Sequence, residues 1–250
     1  MVILRSQREI ERIASAGRVA AATLSLLAEH VSPGMSTLEL DEMAEDFIRS
    51  QGAVPACKGY YGFPASVCIS VNEGVVHGIP SAHRKLCDGD IVSLDLVVQK
   101  DGFMGDTAIT VPVGEIDEAS QQLLEVTEQA LYQGIAAAVV GNHIGDIGYA
   151  VQSYVRPYRY GVVMEYVGHG IGTEMHAEPE VPNYGKPGEG LRLEAGMVIC
   201  IEPMINMGKA QTKTLKDGWT VITADRKRSA HFEHTVAITE DGPLILTERS

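Results

Sequence analysis

Four segments of the chain carry apolar residues at the three- and four-residue spacing of an amphipathic helix. The first runs from Ser6 to about His30, and Ser32-Pro33-Gly34 ends it. The second opens at Ser36-Thr37-Leu38-Glu39, which supplies the hydroxyl and the carboxylate of a capping box. Two more helices are predicted from Glu118 to about Val140 and from Asp146 to about Tyr154. The rest of the chain is predicted to form strands and turns.

Two of the predicted strands are rich in β-branched and apolar residues and follow a glycine and a turn. They are Ile91–Val98, which contains Asp95, and 197–202, which ends at Glu202. Burying an ionised carboxylate among apolar residues is costly unless a cation or a hydrogen-bond donor lies beside it. Asp95 and Glu202 are therefore candidate site residues.

These strands belong to a weak internal repeat. Residues 86–95 align without gaps on residues 193–202, so that Asp95 and Glu202 occupy equivalent places. No linker rich in proline, serine or charge separates the two halves. The sequence therefore predicts a single α+β catalytic domain over residues 1–250, with halves of about 1–115 and 116–250.

Both halves repeat four features in the same order: a His-Gly pair, a strand carboxylate, an Asp-Gly turn, and a carboxylate that opens a second strand. In the first half these are His77-Gly78, Asp95, Asp101-Gly102 and Asp106, and in the second half they are His169-Gly170, Glu202, Asp217-Gly218 and Glu233. The ordered recurrence favours a duplication over chance similarity between short strands.

A duplication would bring four carboxylates together at the centre of the molecule. They would repel one another strongly unless divalent cations lay between them. Four carboxylates and one imidazole form a hard, oxygen-rich set, which suits manganese, iron or cobalt better than a thiolate-type structural zinc. Two ions about 3.5–4 Å apart can share a hydroxide and polarise a carbonyl. The predicted reaction is hydrolysis.

Composition excludes several other classes. A net charge of −13 opposes binding to nucleic acid or to anionic membranes. The N-terminal apolar run is too short for a signal peptide, and no stretch reaches the roughly 18 apolar residues of a membrane span. The four cysteines form no Cys-x-x-Cys pair. We therefore expect a protein of the reducing cytoplasm.

Seven short features are spread over nearly the whole chain. They are Tyr60–Glu73, His77–Pro80, Asp95, Asp101-Gly102 with Gly105-Asp106-Thr107, Gly168–Gly172, Ile201-Glu202-Pro203 and Glu233-His234-Thr235. Together they resemble the bacterial type I methionine aminopeptidases among the M24 metallopeptidases. The resemblance implies the pita-bread fold, in which two αβ halves related by a pseudo-twofold axis surround a dinuclear metal site.

The same resemblance implies the ligands of that site. Asp95 would chelate one metal ion, His169 and Glu202 the other, and Asp106 and Glu233 would bridge the two. The ions could be cobalt, manganese, iron, zinc or nickel. A water activated by the metals would attack the scissile carbonyl, and the enzyme would remove the initiator methionine of nascent proteins when the second residue is small.

The resemblance also implies which residues meet the substrate. His77 and His176 would contact it, His176 near the scissile carbonyl, and Glu202 would be the proton shuttle. Soft and aromatic groups, which suit a thioether, would bind the substrate: Cys57, Tyr60, Phe63, Cys68, His77, His176 and Trp219. Phe63 stands where the family often has tyrosine, and Met175 where an aromatic residue is often found, so the shape of the pocket stays open.

Two other classes stay open as alternatives. Proline-specific peptidases share the fold and the five ligands, but they usually carry a large extra domain before the catalytic one, whereas this chain starts its catalytic helix almost at once. A catalytically inactive binding protein on the same fold is opposed by the presence of all five ligands and both histidines. Transient association with the ribosome is compatible with the resemblance, although no segment argues for it, and a monomer is expected.

Overall fold

Four long helices and fifteen strands make up the chain in a computed structural model, which describes residues 2–249. The helices are α1 Gln7–His30, α2 Thr37–Ser50, α3 Glu118–Ala137 and α4 Ile144–Val155. The strands are β1 Val54–Pro55, β2 Cys68–Val71, β3 Gly74–Val76, β4 Ile91–Lys100, β5 Phe103–Pro112, β6 Gly161–Val162, β7 Gly168–Gly170, β8 Ala177–Val181, β9 Val198–Ile201, β10 Met204–Asn206, β11 Thr212–Thr214, β12 Val221–Thr223, β13 Ser229–His231, β14 Glu233–Thr239 and β15 Gly242–Ile245. Two short 3-10 helices lie at Tyr60–Gly62 and Arg156–Tyr158.

The helix caps explain where the helices begin. At α2 the predicted capping box is present, since the backbone N–H of Glu39 donates to Ser36 Oγ at 3.2 Å and Ser36 N–H donates to Glu39 Oε2 at 2.7 Å. Helix α4 begins earlier than predicted, because His143 N–H donates to the Asp146 carboxylate at 2.7 Å and makes His143 the N-cap. Asp146 therefore lies in the first turn rather than at the helix start.

The largest sheet has nine strands, and every pairing in it is antiparallel. Its path is β1-β4-β5-β14-β9-β7-β8, with β2 on β4 and β15 on β14. Strands β5 and β14 pair at the centre, and Glu233 lies opposite Ala108. The carboxylate strands of each half are therefore neighbours, and within this sheet the β5–β14 pair joins the two halves.

One detail of the predicted repeat is wrong. Asp106 does not open a strand, because β5 already begins at Phe103. The Asp217-Gly218 turn lies between Glu202 and Glu233 in the predicted order, and it joins β11 to β12. An Asp-Gly pair favours a tight turn but does not determine which strands the turn connects. The Asp101-Gly102 turn between β4 and β5 is confirmed, and both of its residues have positive φ angles, 49° and 81°.

The structure extends the repeat upstream of the aligned strands. Residue 36, the N-cap of α2, forms an isolated bridge with Lys85, and residue 143, the N-cap of α4, forms one with Arg192. Beside these bridges, Leu86 N–H donates to the backbone oxygen of Met35 at 2.8 Å. In the same way, Leu193 N–H donates to the backbone oxygen of Asn142 at 2.7 Å. The two halves thus anchor their second helix to their first carboxylate strand in the same way.

Aliphatic side chains from the helices pack on the central sheet and fix the strands that carry the carboxylates. Leu24, Leu27 and Leu40 are fully buried in one cluster with Leu94 and Leu96 of β4. Burying such a side chain contributes about 1.5–3 kcal/mol. The α+β prediction is confirmed. None of the helices within residues 2–249 is long and apolar enough to cross a lipid bilayer.

Candidate metal centre and substrate cavity

A cavity of about 710 Å³ lies over the central strands. All the predicted metal ligands line it, namely Asp95, Asp106, His169, Glu202 and Glu233. The predicted substrate-binding residues line it as well, namely Cys57, Tyr60, Phe63, Cys68, His77, His176 and Trp219. The structure therefore brings together residues from across most of the sequence.

Sheet register explains why three of the carboxylates meet. Ala108 of β5 lies opposite Asp95 of β4 on one side and opposite Glu233 of β14 on the other. Paired residues of an antiparallel sheet point to the same face, and so do residues two apart in one strand. Asp106, two residues before Ala108, therefore shares that face. The small methyl of Ala108 leaves space between the carboxylates.

Four buried donors form a cluster that could hold a metal ion. One ligand atom each from Asp106, His169, Cys200 and Glu233 lies within 4.8 Å of the other three. Three buried carboxylate oxygens at this place have no hydrogen-bond partner within residues 2–249, namely Asp106 Oδ1, Glu202 Oε1 and Glu233 Oε1. Unpaired buried anionic oxygens are costly unless a cation neutralises them. The donor set fits divalent cations.

The electrostatics of the cluster agree with this assignment. Burial raises the pKa of Asp95 to about 7. Burial and then the neighbouring carboxylates raise the pKa values of Asp106, Glu202 and Glu233 well above their usual range. Carboxyl groups with such raised pKa values retain protons that divalent cations would displace.

The orientation of His169 suits a metal ligand. Its Nδ1 lies 3.0 Å from the backbone oxygen of Gly170, which can only accept, so the ring proton is on Nδ1. Its Nε2 lies 3.6 Å from Asp106 Oδ2 and 3.5 Å from Glu202 Oε1. Burial and the nearby His176 lower the pKa of His169 to about 4. A neutral ring thus turns its lone pair toward the carboxylates.

His176 occupies a different place. Its ring centroid is 4.4 Å from that of His169, in an edge-on arrangement. Its Nδ1 lies 2.9 Å from the hydroxyl of Tyr60. His176 is not among the four clustered donors, and neither are the predicted ligands Asp95 and Glu202, which line the same cavity.

Both His-Gly pairs need the glycine for close packing. A Cβ on Gly78 would collide with the backbone oxygen of Ile69, and one on Gly170 would collide with the backbone oxygen of Glu178. His77 has a φ of 57°, which is uncommon outside glycine, although histidine is among the residues enriched there. Tight backbone packing therefore directs each histidine into the cavity.

Aromatic rings form one wall of the cavity. The Trp219 ring lies edge-on to Phe63 at 5.2 Å and to His77 at 6.3 Å between centroids. Met175 is buried in the same cluster as Phe63. Phe63 and Met175, at which the sequence departs from the pattern that the resemblance implies, thus belong to one wall of the cavity.

Two residues beside the carboxylates were missed by the sequence interpretation, and only the second of them lines the cavity. Cys200 lies two positions before Glu202, and its thiol faces Glu233. His231 lies two positions before Glu233, with Nε2 at 4.0 Å from Glu202 Oε2. Their signal in the sequence was only a position two residues before a predicted ligand, because His231 ends β13 whereas Glu233 opens β14, and Glu202 lies just beyond the end of β9.

Comparison with known proteins places this site in a family. The model of metallopeptidase family M24 matches residues 11–240. The chain belongs to metallopeptidase family M24. Among M24 relatives, the methionine aminopeptidase of Clostridium acetobutylicum is 49% identical over 99% of both chains, and that of Clostridium perfringens is 52% identical over the same share.

A solved M24 structure agrees over the full length. The methionine aminopeptidase of Thermotoga maritima superposes with a TM-score of 0.98 at 39% identity and covers 100% of both chains. The predicted pita-bread fold of the M24 methionine aminopeptidases is thereby confirmed. The predicted resemblance to the bacterial enzymes is confirmed as well.

Proposed function

We propose that this chain is a metal-dependent aminopeptidase that removes an N-terminal methionine when the next residue is small. The observation that carries the proposal is one cavity lined by two chemically unlike groups of residues. One group is the buried carboxylates around His169, and the other is the Phe63 and Trp219 rings with two cysteines. Sulfur packs well against aromatic edges and polarisable atoms, so the second group suits a methionine side chain.

The proposed metal ligands are those implied by the sequence. Asp95 would bind one ion, His169 and Glu202 the other, and Asp106 and Glu233 would bridge them. Two divalent cations held there would polarise the scissile carbonyl and supply a hydroxide nucleophile near neutral pH. Manganese, iron, cobalt, zinc and nickel all accept such ligands, and elemental analysis of protein purified without chelator would identify the resident ion.

The remaining steps use the chain's own residues. Glu202 would take a proton from the attacking water and return it to the leaving amine. His176 would donate from Nε2 to the oxygen of the scissile carbonyl as negative charge develops there. His77 would contact the bound substrate from the Trp219 wall.

Hydrolysis of a Met-X-Ser peptide series with added manganese or cobalt tests the proposal. We expect rapid cleavage for X = Gly, Ala or Ser and poor cleavage for bulky X. Equal rates for X = Ala and X = Arg, or a preference for leucine over methionine at the first position, would contradict it. An Ala-Pro peptide serves as a control for a proline-specific peptidase, and no hydrolysis at all would favour an inactive binding protein.

The wider setting is also part of the proposal. We propose nascent polypeptide N-termini as the substrates, with transient docking at the ribosome, in the cytoplasm, by a monomer. The pairing of β5 with β14 supports a single catalytic domain over residues 1–250 with halves of about 1–115 and 116–250. Sedimentation of the purified chain with and without ribosomes would test both the oligomeric state and the docking.

A further inference from the structure

His231 is a buried cavity residue to which the proposed function gives no role. Its exposed fraction is 2%, and it lines the same cavity as the carboxylates. Neither Nδ1 nor Nε2 has a hydrogen-bond partner within residues 2–249. A buried polar group without a partner costs about 1–3 kcal/mol, so this imidazole requires an explanation.

The backbone of His231 is tightly fixed. Its N–H donates to Thr110 Oγ1 at 2.8 Å, and its carbonyl accepts from the same hydroxyl at 2.9 Å. It also pairs with Met204 across β10 and β13. The position of the ring is therefore set by the sheet.

The ring faces the carboxylate of Glu202. His231 Nε2 lies 4.0 Å from Glu202 Oε2, and on the other side His169 Nε2 lies 3.5 Å from Glu202 Oε1. The Glu202 backbone is held separately, because Asn183 donates to its carbonyl at 3.0 Å. Two imidazoles thus bracket one carboxylate, each nearest to a different oxygen.

We propose that His231 is a positioning residue that donates a hydrogen bond from Nε2 to Glu202 Oε2. This leaves Oε1 directed toward His169, on the metal side. The proposal rests on the proposed function in one respect, since it takes Glu202 as a metal ligand. The 4.0 Å separation closes with a small side-chain rotation, and hydrogen bonds at active sites are often long before the site is filled.

The hydrogen bond would act by orienting a ligand. Partners that orient metal ligands are typically worth 10- to 100-fold in metal affinity or activity. A residue that serves only for packing would be replaceable by a ring of similar shape. A residue that binds metal directly would not be replaceable by an amide donor.

The test compares three variants in metal-free protein titrated with manganese by calorimetry. His231→Phe keeps a ring but removes the donor, His231→Gln supplies an amide donor, and His231→Met provides a second variant without a donor should the Phe variant fail to fold. We expect about 10- to 100-fold weaker manganese binding for Phe and Met. For His231→Gln we expect wild-type affinity. For hydrolysis of Met-Ala-Ser, kcat should rank the variants in the same order as their manganese affinities, and KM should change little.

Two results would overturn the proposal. Wild-type manganese affinity in a folded His231→Phe or His231→Met variant would mean that the imidazole only packs. Equal weakening in the Gln variant would mean that donation to Glu202 is not its role. If the wild-type chain bound manganese without cleaving Met-Ala-Ser, the proposed function would be wrong. The manganese affinities of the variants would still test the proposed role of His231.

Discussion

The hydroxyl of Tyr60 lies 2.9 Å from Nδ1 of His176, and this contact decides which ring nitrogen faces the cavity cluster. If the phenol donates to Nδ1, the ring proton is on Nε2, which is then free to donate. Burial lowers the pKa of His176, so the ring is neutral near pH 7 and carries only one N–H. Donation by Tyr60 would select the tautomer that the proposed oxyanion contact needs.

Tyr60→Phe removes this contact while keeping the ring. Because a neutral hydrogen bond contributes about 1 kcal/mol, we expect kcat for Met-Ala-Ser to fall roughly fivefold. Manganese affinity should stay at the wild-type value. Tyr149→Phe, at a half-exposed tyrosine on α4, is the matched control. A drop in metal affinity for the Tyr60 variant would contradict this assignment.

His169 and His176 should respond differently to metal. His176→Ala should bind manganese normally yet turn over about 10²–10³ times more slowly at any metal concentration, because it loses an oxyanion donor. His169→Ala should contain little metal because it loses a ligand, and high manganese should partly restore its turnover. Rates measured across a manganese titration distinguish the two variants. Rescue of the His176 variant alone would reverse the roles.

Asp106→Ala should prevent two ions from binding together, since Asp106 is a proposed bridge between them. Elemental analysis should then find fewer than two metals per chain, and added manganese should raise the thermal midpoint less than it does for wild type. Asp101→Asn, at an exposed turn position that tolerates asparagine, is the control. Two tightly bound ions in the Asp106 variant would show that the bridging assignment is wrong.

The metal-free protein should show a pH signature from Asp95. Its pKa is raised by burial from 3.8 to about 7 in the folded chain, so the folded state binds the proton more tightly than the unfolded state. Below pH 3.8 Asp95 is protonated in both states, so its titration does not change the free energy of unfolding. As pH rises toward 7, the free energy of unfolding of the wild type falls by up to about 1.4 kcal/mol per pH unit relative to that of Asp95→Asn.

Urea unfolding of both metal-free proteins between pH 4 and 8 measures this difference. The advantage of Asp95→Asn should grow up to about pH 7 and then level off. A difference independent of pH would mean that Asp95 is already ionised in the folded metal-free chain. Saturating manganese should reverse the order, because the carboxylate is then a ligand.

The local parts of the fold were predictable from the sequence. The capping box at Ser36 and the Asp101-Gly102 turn depend on neighbouring residues, and both are present. The equivalence of Asp95 and Glu202 was predictable because a repeat carries its own long-range information. Cys200 was not predicted, because its approach to Glu233 depends on the register between β9 and β14.

The two halves differ in the length of chain between their paired carboxylates. Between β9 and β14 the chain makes four further strands, β10–β13, so the turn at Asp217 lies in a different hairpin from its counterpart at Asp101. Periodicity and turn chemistry describe neighbouring residues only. Which strands pair across such an insertion is decided by tertiary packing, which a single sequence does not display.

The central pairing of β5 with β14 determines when, during synthesis, the protein becomes able to form its proposed metal site. Glu233 lies in the last seventh of the chain, whereas Asp106 is made before the midpoint. Closing so long a loop is entropically costly, and contacts of this separation form late in folding. A chain still lacking β14 would have no second bridging carboxylate and no strand to complete the sheet. Each copy would therefore complete the proposed metal site only after β14 has been translated and has paired with β5.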